Sequence, residues 1–179
     1  MSNGRNSGGR CVILSNLHRS VCVPIVLAPL FVIAFASRPA AACGHPVAAY
    51  EVSEGGVIER PLCGLAGDAE RGRAVVAGRR GNCLACHAAP IPEEPFHGTI
   101  GPPLHGVGAV FSAGELRLRL VDSTRVNRAT VMPPFHRVEG LRGVRRDRAG
   151  QPILSAREIE DVIAYLLTLT EDAPADETR

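Results

Sequence analysis

The chain has 179 residues, enough for one domain once N-terminal processing is allowed for. Its formal charge of +2 comes from the front: Arg5, Arg10, Arg19 and Arg38 precede residue 42, and the remainder holds sixteen Arg, no Lys and eighteen carboxylates, a balance near −2. That balance excludes a basic nucleic-acid-binding class, and with no Trp, five Phe and two Tyr the side chains alone supply only a thin aromatic core.

The basic leader runs into an uncharged stretch, Ser20 to Ser37, rich in Val, Leu, Ile and Phe, and then into Pro39-Ala40-Ala41-Ala42. This order predicts a secretory signal peptide over 1–42, cut just before Cys43, and hence a periplasmic protein. An uncleaved anchor is the alternative, but Pro24 and Pro29 interrupt an apolar run barely long enough to span a bilayer. Lipid attachment at Cys43 is a second alternative, for which Ala40 is a poor match to the large aliphatic residue usual at that place. Cys11 and Cys22 leave with the leader. In the N-terminal arm, 43–66, Cys43 and Cys63 could pair in an oxidising compartment, stay free, carry lipid or bridge to another subunit.

A domain is expected over 67–170. Asp68 is a good N-cap for a helix from Ala69 to about Arg79, with Ala74, Val75 and Val76 among its apolar positions. The helix delivers the chain to Cys83-Leu84-Ala85-Cys86-His87. C-x-x-C-H is the attachment signature of c-type haem: two thiols reach the two porphyrin vinyl groups and the adjacent imidazole becomes the proximal iron ligand. A thioredoxin-like dithiol would be expected near a βαβ pattern, and a structural zinc would need a second ligand pair; the sequence offers neither.

Two long connections, Ala88 to Val110 and Asp122 to Ser155, lack periodicity, as expected of loops wrapped around a bound ring. In the first, Gly101-Pro102-Pro103-Leu104-His105-Gly106 is either an ordinary turn or a proline-bearing loop that presents a carbonyl to the Nδ1–H of His87. Between the connections, Ser112-Ala113-Gly114-Glu115 is a capping box that opens a second helix, ending near Asp122. From Glu115 to Arg148 nine Arg face four carboxylates, which reads either as a solvated basic face or as a docking surface for an acidic partner. Met132 is the one methionine left after the leader and sits before two prolines; it is the candidate sixth iron ligand, with His97, His105 and His136 as rivals.

Ser155-Ala156-Arg157-Glu158 is another capping box, followed by Ile159, Val162, Ile163, Leu166 and Leu169 or Thr170 on one helical face. This third helix should cross the first beside the porphyrin, with Gly72 permitting close approach and Tyr165 a candidate to pack over it. A frayed acidic tail is expected over 171–179.

The ordered set Gly67-Asp68, Arg71-Gly72-Arg73, Gly81-Asn82-Cys83-Leu84-Ala85-Cys86-His87, Gly98-Thr99-Ile100-Gly101-Pro102, Asn127, Met132-Pro133 and Ile159-Glu160-Asp161-Val162 resembles the SoxX family, the monohaem subunits of the sulfur-oxidation cytochrome SoxAX. The resemblance spans about Pro61 to Leu169. It implies an all-α small c-type cytochrome fold, about three main helices around one covalent haem c, with Cys83 and Cys86 as attachment sites, His87 and Met132 as iron ligands, and the Pro102 carbonyl on the haem histidine. It further implies an electron-transfer role in a complex of the L-cysteine S-thiosulfotransferase type. In such a complex a SoxA partner joins thiosulfate to a cysteine of a SoxYZ carrier, and the electrons pass to a soluble cytochrome c. The chain itself then has no catalytic residue, the chemistry falling to the partner. A free-standing periplasmic cytochrome c serving an oxidase or dehydrogenase is the alternative. Arg128, His136 and Cys63 depart from the family pattern, where Pro, Tyr and Thr are expected.

Overall fold

The structure, a computed structural model, describes residues 47–171. The predicted leader, its cleavage site, Cys43 and the tail beyond Glu171 lie outside the described residues. Four helices are present and no strand among the described residues: α1 (Ala69–Ala77), α2 (Val107–Val110), α3 (Ala113–Asp122) and α4 (Ala156–Thr168). None is long and apolar enough to cross a membrane. Short 3₁₀ turns at Leu62–Gly64, Cys83–Ala85, Ser123–Arg125 and Arg146–Arg148 punctuate the connections.

Each long helix starts where its side chains can satisfy the orphan N–H groups of the first turn. Asp68 accepts from the Arg71 N–H, while Ser112 with Glu115 and Ser155 with Glu158 form complete capping boxes. Helix α1 stops earlier than the sequence indicates, at Ala77, because Gly78 takes extended geometry (φ −77°, ψ 159°) as its C-cap. Helix α2, a single turn after the left-handed Gly106, has no sequence periodicity to announce it.

Helices α1 and α4 cross in the closest packing of the fold. The reason is Gly72: a β-carbon there would strike the Asp161 carbonyl, so only glycine lets the two backbones touch. Backbone atoms of Asp161 and Val162 are the nearest to Gly72, and the Tyr165 ring, one turn further along α4, is buried with its hydroxyl within the fields of Arg73 and Glu93. From α4, Ile159, Val162, Ile163, Leu166 and Leu169 are buried, as the stripe requires, each contributing roughly 1.5–3 kcal/mol.

Two carboxylates on α4, Glu160 and Asp161, are buried as well, and both hold the chain that precedes or opens α1. Asp161 accepts from the Asp68 N–H at 2.8 Å and takes a two-point contact from Arg71 at 2.7 and 2.9 Å. Burial works to raise its pKa, but the hydrogen bonds from Arg71 and from the Asp68 backbone outweigh it and leave the carboxyl below its ordinary range. Glu160 accepts from the Leu62 N–H at 2.7 Å and pairs with the buried Arg117 of α3 at 2.8 and 2.9 Å. Arg117 also donates to the Ile58 carbonyl at 2.6 Å. The N-terminal arm is thereby fastened to both α3 and α4. Cys63, in this arm, is disulfide-bonded, and its partner lies outside the described residues.

His136 fastens a second point of the arm. Fully buried, it donates from Nδ1 to the Leu154 carbonyl at 2.8 Å and accepts at Nε2 from the Ala48 N–H at 2.8 Å. Burial pushes its pKa below 6.5, against the pull of the Leu154 carbonyl, and a proton on Nε2 would face the Ala48 donor. The unfolded chain then binds the proton first, so the stabilisation is complete above about pH 6.5 and is lost as pH falls toward the lower folded value. The urea midpoint should fall as pH is lowered from about 7.5 to about 5.5, and His136→Gln should flatten that profile. Equal slopes for the two proteins would overturn the assignment.

Candidate functional site

The C-x-x-C-H segment is wound into a single turn. Asn82 adopts a left-handed conformation (φ 50°), the Cys86 and His87 N–H groups both donate to the Cys83 carbonyl, at 3.1 and 2.9 Å, and the two cysteines and His87 come to line one cavity. The first long connection then folds back along this turn, with Gly98 N–H on the Leu84 carbonyl (2.7 Å), Gly101 N–H on Cys86 (2.8 Å) and Leu104 N–H on Ala88 (2.7 Å). This return places the Pro102 carbonyl 2.6 Å from Nδ1 of His87. The contact fixes Nδ1 as the donor and leaves Nε2 as the bare ring nitrogen of a neutral imidazole, the atom that could bind a metal. Gly101 lies flat against the same ring, where a β-carbon would collide with it.

Another part of the cavity wall is the Met132 loop. It is pinned to the end of α3 by the Ser123 hydroxyl on the Met132 carbonyl (2.6 Å), by the Phe135 N–H on the Leu120 carbonyl (2.9 Å) and by the His136 N–H on Val121 (3.3 Å). Within the loop, the Met132 N–H donates to the Thr130 hydroxyl at 3.1 Å. Val76 of α1, Leu116 and Leu120 of α3, and Val162 and Leu166 of α4 make the apolar floor. The cavity between measures about 850 Å³. Cys83, Cys86, His87, Pro102 and Met132 therefore all line one space.

The rival ligands are placed differently. His136, whose two ring nitrogens are both committed to backbone groups, has no nitrogen left for a metal. His97 points Nδ1 at the Ala89 N–H (3.4 Å) and does not line the cavity, whereas His105 lies in the loop that carries Pro102 and does line it.

The residues fit a haem better than a redox dithiol. Burial pushes the Cys83 thiol up to about 11, so at neutral pH it is a protonated sulfur and not the low-pKa nucleophile that thiol exchange needs. No cluster of three or more His, Cys, Asp or Glu is arranged to hold a bare metal ion among the described residues.

The basic segment proves not to be one face. Arg117 is buried in its pair with Glu160, Arg119 lies over the Phe111 ring at 4.0 Å and lines the cavity, and Arg125 and Arg137 both approach the buried Asp122, at 3.7 and 3.4 Å. Arg128, Arg142, Arg145, Arg146 and Arg148 are exposed. The structural roles of Arg117, Glu160 and Asp161 carried no signal in the sequence beyond the oddity of two acids beside an apolar stripe.

Neither a protein-family model nor a curated protein sequence matches the chain. Among solved structures it matches a chain of the crystal structure of SoxXA from P. pantotrophus with a TM-score of 0.61 and 34% sequence identity, over 69% of this chain and 95% of that one. Identity at that level over nearly the whole of the solved chain, on an all-α fold of the small c-type cytochrome kind whose cavity gathers the C-x-x-C-H turn and Met132, places this chain in the SoxX family.

Proposed function

We propose that the chain is a periplasmic monohaem cytochrome c, the electron-transfer subunit of a SoxXA-type complex, with Cys83 and Cys86 as covalent attachment sites and His87 and Met132 as iron ligands. The observation that carries the reading is the hydrogen bond from His87 Nδ1 to the Pro102 carbonyl on one wall of a cavity that both cysteines and Met132 also line. Haem bound there supplies a one-electron centre whose potential is set by its axial ligands and its burial. The chain's own part is to hold the imidazole in one tautomer, to offer a soft thioether from a loop stiffened by Pro133 and Pro134, and to keep water from the floor with α1, α3 and α4. A SoxA-like cytochrome is the proposed heterodimer partner, a SoxYZ-like carrier holds the substrate cysteine, and a soluble cytochrome c accepts the electrons.

Two measurements test this. Met132→Ala should abolish the weak far-red charge-transfer band of thioether-ligated ferric haem, lower the potential and open the iron to carbon monoxide, while covalent haem is retained. His136→Ala should keep the band and lose stability; the reverse pattern would sink the His/Met reading. Co-expression with a SoxA-like cytochrome should yield a co-purifying pair, and a stable monomer indifferent to that partner would favour the free-standing carrier.

A further inference from the structure

Most of the partly or fully buried arginines of this fold face a carboxylate. Arg117 has Glu160, Arg71 has Asp161, Arg73 has Glu93, Arg80 has Glu158, and Arg125 and Arg137 share Asp122. Arg119, two residues beyond Arg117 on α3 and partly buried, has no carboxylate within ion-pair distance among the described residues. Among the described residues it is also the one Arg, Asp or Glu side chain that lines the large cavity. Its guanidinium is nevertheless held in place. One nitrogen, Nη1, donates to the Glu115 carbonyl at 3.1 Å, and the plane lies 4.0 Å from the centroid of the Phe111 ring, itself part of the cavity wall. Glu115, the nearest acid to feel its field, is already engaged by the Ser112 N–H and hydroxyl in the capping box.

An arginine carries five N–H donors in a planar fork, and here one is used by the protein. A fixed, partly desolvated cation that faces an apolar cavity with its remaining donors free is a site for a carboxylate, which the fork can meet with two parallel hydrogen bonds. Three other polar groups of the cavity lining are occupied: the Ser123 hydroxyl by the Met132 carbonyl, the Thr130 hydroxyl by the Met132 N–H, and the Asn127 carbonyl oxygen by the Ala129 N–H. Haem brings two propionate carboxylates on one edge of an otherwise apolar ring, and this cavity provides one fixed cation to receive that charge.

We infer that Arg119 is a haem-binding residue that pairs with a haem propionate and, through Phe111 and Glu115, sets how the ring is seated between the His87 and Met132 walls. The inference rests on the haem reading above. A cation beside the ring favours the reduced iron, which has one positive charge fewer, and it favours the ionised propionate.

The test uses purified holoprotein and its midpoint potential measured across pH. Arg119→Gln should retain covalent haem, titrate to a lower potential, and move the propionate-linked inflection of the potential–pH curve upward by about one unit or more. Arg119→Lys, which keeps the charge and loses the fork, should fall between. Arg128→Gln removes an exposed arginine that does not line the cavity, and should leave the inflection in place. An Arg119→Gln holoprotein with unchanged potential and inflection would overturn the inference while leaving the haem reading intact. Wild-type protein without covalent haem would instead overturn the haem reading itself. If the role of Arg119 were only to pack on Phe111, both Arg119 variants would lose thermal stability with the inflection unmoved, which also counts against the inference.

Discussion

Changing both Cys83 and Cys86 to alanine should give a protein that carries no covalent haem and does not fold. The cavity these residues border is about 850 Å³, and its floor is built from side chains of α1, α3 and α4 at once. At roughly 24 cal/mol per Å³ of unfilled volume, even part of that space left without an occupant would consume a global stability of about 5–15 kcal/mol. Few other aromatic residues are available to collapse into it. Each single substitution should leave one thioether and a folded but less stable protein. Acid–acetone extraction reports attachment and far-ultraviolet circular dichroism reports folding; haem stripped from the unaltered protein, or a helical and cooperative double mutant, would refute the prediction.

The Arg117–Glu160 pair should give the largest loss from a substitution away from the cavity. Both side chains are nearly inaccessible, at 3% and 4%, so removal of one strands the other's charge in the interior. Arg117→Met should cost about 3–5 kcal/mol, well above the value of about 1 kcal/mol or less for an exposed pair such as Arg60 with Glu51. The double variant Arg117→Met with Glu160→Leu should recover much of this. Recovery stays incomplete because the Leu62 N–H and the Ile58 carbonyl lose their partners, at about 1–3 kcal/mol for each buried group left unsatisfied. Urea denaturation of the four proteins closes the cycle. A single variant that costs no more than an exposed pair would show that the network does not hold the arm.

What the sequence revealed was local, and its local readings survive in the structure. Asp68, Ser112 and Ser155 begin helices because a cap acts within three residues, and Ile159, Val162, Ile163 and Leu166 are buried because a helical stripe leaves them no other face. Gly72 was legible through the crossing it permits. Arg117 read as one of nine arginines in a basic segment, since its partners are 43 and 59 residues away in the chain. His136 read as a rival ligand for the same reason: its contacts to Ala48 and Leu154 are fixed by tertiary structure and not by spacing. The Pro102 carbonyl was anticipated as a geometry, and only the backbone ladder from Gly98 to Leu104 explains how the loop arrives there.

The arm precedes every helix of the domain and docks after them in assembly. Its fastenings join residues 98 and 88 positions apart, Leu62 to Glu160 and Ala48 to His136, and neither receiving group exists as a docking point until α4 has been laid across α1 and the Met132 loop has met α3. Closing loops of that length carries an entropic cost before any contact repays it, so these two latches belong after the rate-limiting step and should slow unfolding more than they speed folding. Until they close, the molecule has a period in which its helices are formed but its flank is undone.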